Sequence, residues 1–182
     1  SRRTRPGSDG TGLGRSRSAL TGCGRWQPGA EVGCPRVRAW AREPVALPML
    51  EPRGAIFAEL LVEGKPLLVA GMHLDLSGLR RRHQLRAVLD HLASCGRKGP
   101  AVLMGDFNEW SLHGGSLREF LAPWRVLAPG RSFPSRRPVA QLDRVVISSE
   151  WLVEDLGVHH SALAARASDH LPVLARLVLP KK

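Results

Sequence analysis

An α/β fold is predicted for this 182-residue chain from three observations. Two β-type runs face each other across a glycine turn in 54–74. An amphipathic helix follows in 77–95, and a short apolar run then stops on Gly105-Asp106-Phe107-Asn108. Hairpin, helix and strand in that order make a mixed α/β architecture. With 43% hydrophobic and 24% charged residues, the chain can bury one sizeable core.

The elements follow in order. Residues 1–44 are rich in Arg, Gly, Ser and Pro and hold no sustained period of 2 or 3.6. They read as a basic extension, disordered by composition or arising from a truncated or out-of-frame start, with the folded domain over 45–182. Gly54–Glu63 and Pro66–Leu74 are predicted strands turning at Gly64-Lys65, because glycine admits the positive φ of a tight turn. Ser77 is the expected N-cap of a helix that Gly96 ends. Leu85, Val88, Leu89 and Leu92 fall on its buried face, and Arg80, Arg81, Arg82 and Arg86 on its solvated one. A strand over 100–104, a short helix over 115–122, a rigid loop at Ser132–Ser135 with Pro138, and strands over 141–148 and 171–179 complete the chain.

Composition narrows the function. The net charge is +11, of which residues 1–44 contribute +6 through nine Arg against Asp9, Glu31 and Glu43. A basic surface concentrates polyanions without specifying them, so nucleic acid is one expected substrate or partner class. Apolar runs all fall short of the roughly 18 residues a membrane span needs, and the start lacks a secretory pattern, so a cytoplasmic location is expected. Cys23, Cys34 and Cys95 lack the spacing of a zinc site or disulfide framework, and Cys95 reads as a small apolar residue. Trp110 reads first as a packed tryptophan and second as a platform for a base. His159 and His160 read as solvated.

The chemistry collects at strand ends. Asp106 offers an anionic oxygen to a hard cation or a proton. Asn108, two residues on, offers a donor and an acceptor on the same side of an extended backbone. Read alone, Asp-x-Asn is equally a turn after a strand. His73, Asp143 and Asp169-His170 sit at the ends of other predicted strands, and four such clusters together point to one site.

His73-Leu74, Gly105-Asp106-Phe107-Asn108, Leu142-Asp143-Arg144 and Ser168-Asp169-His170-Leu171-Pro172, in that order, resemble the signature blocks of the endonuclease/exonuclease/phosphatase superfamily, the deoxyribonuclease-I-like hydrolases. Glu51-Pro52-Arg53-Gly54, Arg81-x-x-Gln84 and Phe133-Pro134-Ser135 are similar to bacterial members. The resemblance spans about 45–180 and implies a four-layered α/β sandwich of two packed mixed β-sheets flanked by helices.

It implies roles as well. His170 is the general base and Asp143 the carboxylate that orients it. Asp106 and Asn108 position water and phosphate, and His73 binds a phosphate oxygen or the leaving group. Asp169 stands next to a metal, Mg²⁺ with Mn²⁺ as the alternative. Apart from the resemblance, the helix arginines, Arg81 among them, read first as a wet face and second as a phosphate contact. The implied activity is metal-dependent hydrolysis of phosphodiesters or phosphomonoesters, nucleic acids among them. The family's N-terminal strands, with an Asn and the principal metal-binding Glu, are not recognisable in residues 1–44, where Glu31 and Glu43 have no apolar run behind them. An impaired remnant and a basic nucleic-acid-binding module are therefore the alternative expectations.

Overall fold

The hairpin organises the sheet. Strands β3 (Gly54–Val62) and β4 (Lys65–His73) pair antiparallel from Gly54↔His73 to Val62↔Lys65, leaving Glu63-Gly64 as a two-residue turn. Both turn residues have positive φ, 51° and 78°, the requirement of a turn whose twist matches the strands. The turn thus sits one residue earlier than Gly64-Lys65, because Lys65 already pairs with Val62.

In this computed structural model residues 37–41, 45–46, 53–94, 99–111 and 114–180 are described. All belong to the unit Pro35–Lys182, and expectations resting on Glu31, Glu43, Glu51, Cys95 and Gly96 lie outside the described residues. Strand β1 (Val37–Ala41) pairs antiparallel with β3, as does β2 (Val45–Ala46). A strand therefore falls inside the stretch read as an extension; its five residues, flanked by Arg36 and Arg42, are too few to show a period.

Helix α1 (Gly78–Ser94) carries the chain from β4 to β5 (Ala101–Asp106), which runs parallel to β4 as a helical crossover requires. Strand β7 (Asp143–Ile147) lies antiparallel on the far side of β5, and the short β6 (Arg125–Leu127) at the edge, giving the order β1-β3-β4-β5-β7-β6. Segment 115–122 is a 3₁₀ turn over Gly115–Glu119 rather than an α-helix. It opens on Gly115 at φ 60°, has no side-chain cap and is closed by Pro123 soon after. Strands β8 (Leu152–Val158) and β9 (Val173–Val178) form a separate antiparallel pair, with a single helical turn, α2 (Ala164–Ala167), between them.

The period-2 alternation of the strands divides the core between two faces. Ala55, Phe57, Ala70, Met72, Leu103 and Val146 pack with Leu85, Val88 and Leu92 of α1. Val102, Val145 and Ile147 turn the other way, onto Trp151, Val153, Ala175 and Leu177. Among the described residues the layers are thus helix, mixed sheet and a two-stranded antiparallel sheet. The second sheet, expected to be mixed, is an antiparallel ribbon there. No helix among the described residues is long and apolar enough to cross a membrane.

Candidate active site

Strand register builds the site. β4 and β5 run in parallel with His73 opposite Asp106, and β5 and β7 pair Asp106 with Asp143, so three polar residues lie side by side at one sheet edge. That register depends on Gly105, whose φ is 136° and whose added Cβ would lie 2.0 Å from the Met72 carbonyl oxygen. Only glycine fits so close to the neighbouring strand. Asn108, at φ 49°, turns the chain back: its N–H donates to Asp106 Oδ1 at 2.7 Å and its amide Nδ2 to the Leu74 carbonyl at 2.9 Å.

The fourth cluster arrives on the loop before β9. His170 Nδ1 lies 2.9 Å from Asp143 Oδ2. A carboxylate only accepts, so Nδ1 holds the proton and Nε2 faces outward as the free base. Nε2 lies 3.8 Å from Asp106 Oδ2, too far for a direct bond but suited to a water bonded to both. Ser132, fully buried, donates its hydroxyl to the same Asp143 oxygen, and its carbonyl accepts the Leu171 N–H at 2.9 Å. Phe133 packs on the imidazole with ring centroids 4.8 Å apart. Burial alone would lower the His170 pKa, but the Asp143 bond and the charges of Asp143, Asp106 and Asp169 outweigh it and hold the imidazole above its ordinary 6.5.

His73 closes the other side, 3.4 Å from Asp106 Oδ2. Arg53 Nη1 reaches its Nε2 at 2.8 Å and the Leu74 carbonyl at 2.6 Å. A guanidinium only donates, so His73 Nε2 accepts, and its approach to Asp106 is a contact rather than a hydrogen bond. The structure thus brings together His73, Asp106, Asn108, Asp143 and His170.

Two candidates do not join that cluster of side chains directly. Asp169 precedes His170, but its carboxylate is exposed and, among the described residues, accepts the Ser168 hydroxyl at 3.4 Å. Arg81, expected on a solvated helix face and as a phosphate contact, is buried. Its guanidinium donates to the Leu76 and Asp75 carbonyls at 2.6 and 3.2 Å, to Ser116 Oγ and to Glu109 Oε2 at 3.3 Å. The loops after β4 and β5 leave carbonyls and a carboxylate under the helix, and Arg81 satisfies them.

Beneath the site lies a second network that periodicity does not reveal. Glu109 accepts from the Ser111 and Ser116 N–H groups at 3.0 and 2.8 Å and from Ser116 Oγ at 2.9 Å. Burial would raise its carboxyl, but these bonds and Arg81 hold it below the usual 4.5. Fully buried Arg144 donates to the Glu109 and Ser111 carbonyls at 3.3 and 3.4 Å, clamping the chain on both sides of Trp110. Trp110, expected to be packed, is 65% exposed, since its neighbours' backbone is held from below. His159 and His160 are exposed as expected. Of the residues the site adds, Arg53 and Ser132 lay in stretches already singled out, Glu51–Gly54 and Ser132–Ser135. Glu109 had no signal beyond following Asn108.

Among the described residues no group of three His, Cys, Asp or Glu converges as a metal cage. The side chains seen do not by themselves make a complete Mg²⁺ centre, which takes carboxylate, water and substrate oxygens in near-octahedral array.

A His–Asp pair at a mixed-sheet edge, flanked by Arg, His and Asn, sets a proton acceptor beside groups able to bind an anion. The chain belongs to the Endonuclease/Exonuclease/phosphatase family, whose model matches residues 5–170. That span reaches into the Arg-rich segment before Val45. Family members are typically dependent on divalent metals. Solved structures with the same fold include a functionally unknown conserved protein from Enterococcus faecalis (21% identity, 79% of this chain and 66% of that one, TM-score 0.63). TDP2 from D. rerio complexed with single-strand DNA product also matches (16%, 78% and 69%, 0.60). So does a mannosyl-6-phosphatase from Bacteroides thetaiotaomicron (23%, 70% and 57%, 0.57). The chain spans about two thirds of the length of the first of these. No curated protein matches.

Proposed function

We propose that this chain hydrolyses phosphoesters through water activated by His170. The observation that carries the reading is the His170–Asp143 pair, with Nε2 turned toward Asp106. Water bonded to Asp106 and His170 gives its proton to Nε2 as its oxygen forms a bond to phosphorus. The phosphorus–oxygen bond to the leaving alcohol breaks, and that oxygen takes a proton from solvent. Asp143 keeps the imidazole in the useful tautomer and stabilises its charged form. Arg53 and Asn108 meet at the Leu74 carbonyl, with His73 bonded to Arg53 and beside Asp106, and their remaining donors would stabilise charge developing on the phosphate oxygens.

Mg²⁺, or Mn²⁺ in its place, would supply further neutralisation of that charge when bound. Nucleic acid is the substrate class favoured by the net charge of +11 and by the DNA complex of the similar TDP2. A binding module without chemistry would share the charge, but would have no use for an imidazole oriented by a buried carboxylate.

The test is hydrolysis of bis-p-nitrophenyl phosphate and plasmid DNA with Mg²⁺, for the wild type and His170→Ala. Loss of the base is expected to lower kcat by about 10²–10⁴-fold. Equal rates for the two proteins would overturn the reading.

A further inference from the structure

A cavity of about 580 Å³ is lined by Arg136, Arg137 and Arg166, and by Ser168 and Asp169 of the segment that leads into His170. All three are exposed, and among the described residues no acidic group pairs with any of their guanidinium groups. The one acid in the lining is Asp169, leaving three positive charges against one negative. Like charges gathered in a concavity repel one another, focus the field and draw in an anion. Guanidinium groups suit phosphate in particular, because their paired N–H donors match two of its oxygens.

The walls of the cavity are the segments that carry the catalytic pair. Ser135 N–H donates to the Asp169 carbonyl at 2.7 Å, and Ser135 Oγ donates to the Ser168 carbonyl at 2.7 Å. This clips the arginine loop to the chain just before His170. Asp169 is the peptide neighbour of His170, so the two Cα atoms are about 3.8 Å apart. Phe133, at the start of the same loop, packs on the His170 ring. A phosphate held here would therefore sit against the chain segment that carries His170.

We propose that the Arg136–Arg137–Arg166 cavity binds a second phosphate group of the substrate, so that the site selects molecules carrying more than one phosphate. The proposal rests on the phosphoesterase reading for the word substrate, and on the cavity itself for anion binding. The second phosphate has two chemical sources, the next linkage of a nucleic-acid strand or another phosphate on a polyphosphorylated small molecule or headgroup. The exposed, clamped Trp110, two residues beyond Asn108, favours the strand, because it offers a base a stacking surface.

Binding is measured in EDTA, without turnover, for the full chain and for Arg136→Gln/Arg137→Gln/Arg166→Gln. The ligands are a labelled single-stranded oligodeoxynucleotide of roughly eight nucleotides and inositol hexakisphosphate. The expected result is a loss of affinity of about tenfold or more. The slope of log K against log salt should fall by about 0.7 for each strand phosphate contact removed. Loss confined to the oligonucleotide assigns a strand, and loss confined to inositol hexakisphosphate assigns a polyphosphorylated small molecule; either supports the cavity. Equal affinities of wild type and variant for both ligands would overturn it. The variant's melting temperature is checked against wild type, and if the triple change does not fold, Arg137→Gln is measured in its place. Failure of the phosphoesterase reading shows separately, as turnover that ignores His170→Ala while the binding difference persists.

Discussion

His170 Nδ1 stands 2.9 Å from Asp143 Oδ2, joining residues 27 positions apart in the chain. Their pairing sets the pH dependence. In the proposed reaction the base is unprotonated, and its pKa is held above 6.5, so activity is expected to rise with pH along an acid limb on the alkaline side of 6.5. Asp143→Asn removes the charge and puts an amide that can donate as well as accept where only an acceptor fixes the tautomer. It is expected to cut kcat by about 10²–10⁴-fold and to move the acid limb to lower pH. A pH–rate profile of both proteins checks this, and an unmoved limb would contradict it. The same raised pKa contributes stability that is fully present below 6.5 and is lost as pH rises through the folded value.

Glu109 is the keystone of the network under the site, facing Arg81 and the N–H groups of Ser111 and Ser116. Glu109→Gln leaves the buried Arg81 and Arg144 short of a counter-charge. The expected cost is about 3 kcal/mol, read from the urea midpoint. Because the carboxyl is held below 4.5, its contribution is present above that pH and is lost as pH falls through the folded value. The variant should accordingly lose less stability than wild type on acidification below 4.5.

Gly105→Ala places a methyl group against the Met72 carbonyl and forces alanine to φ 136°. Strain and overlap together predict a loss of at least about 3 kcal/mol in thermal or urea unfolding. Hydrolysis should fall with it, since His73↔Asp106 is the register that aligns the site. An alanine variant as stable as wild type would show that the two strands separate freely.

Much of this was legible along the chain. The strands from 54 to 74, the helix face of Leu85, Val88 and Leu92, and the apolar run into Asp106 declare themselves because burial imposes periods of 2 and 3.6 on any segment packed against a sheet. The candidate site residues stood out for a related reason: polar side chains that interrupt apolar strands at their ends gather at one sheet edge, the kind of place where α/β sheets bind ligands. Where such residues point is not periodic. Burial of Arg81, exposure of Trp110 and the gathering of Arg136, Arg137 and Arg166 around one cavity follow from hydrogen bonds between loops distant in sequence. A sequence can say that an arginine is charged, but only the tertiary structure decides which carbonyls and carboxylates satisfy it and which arginines are left for a ligand.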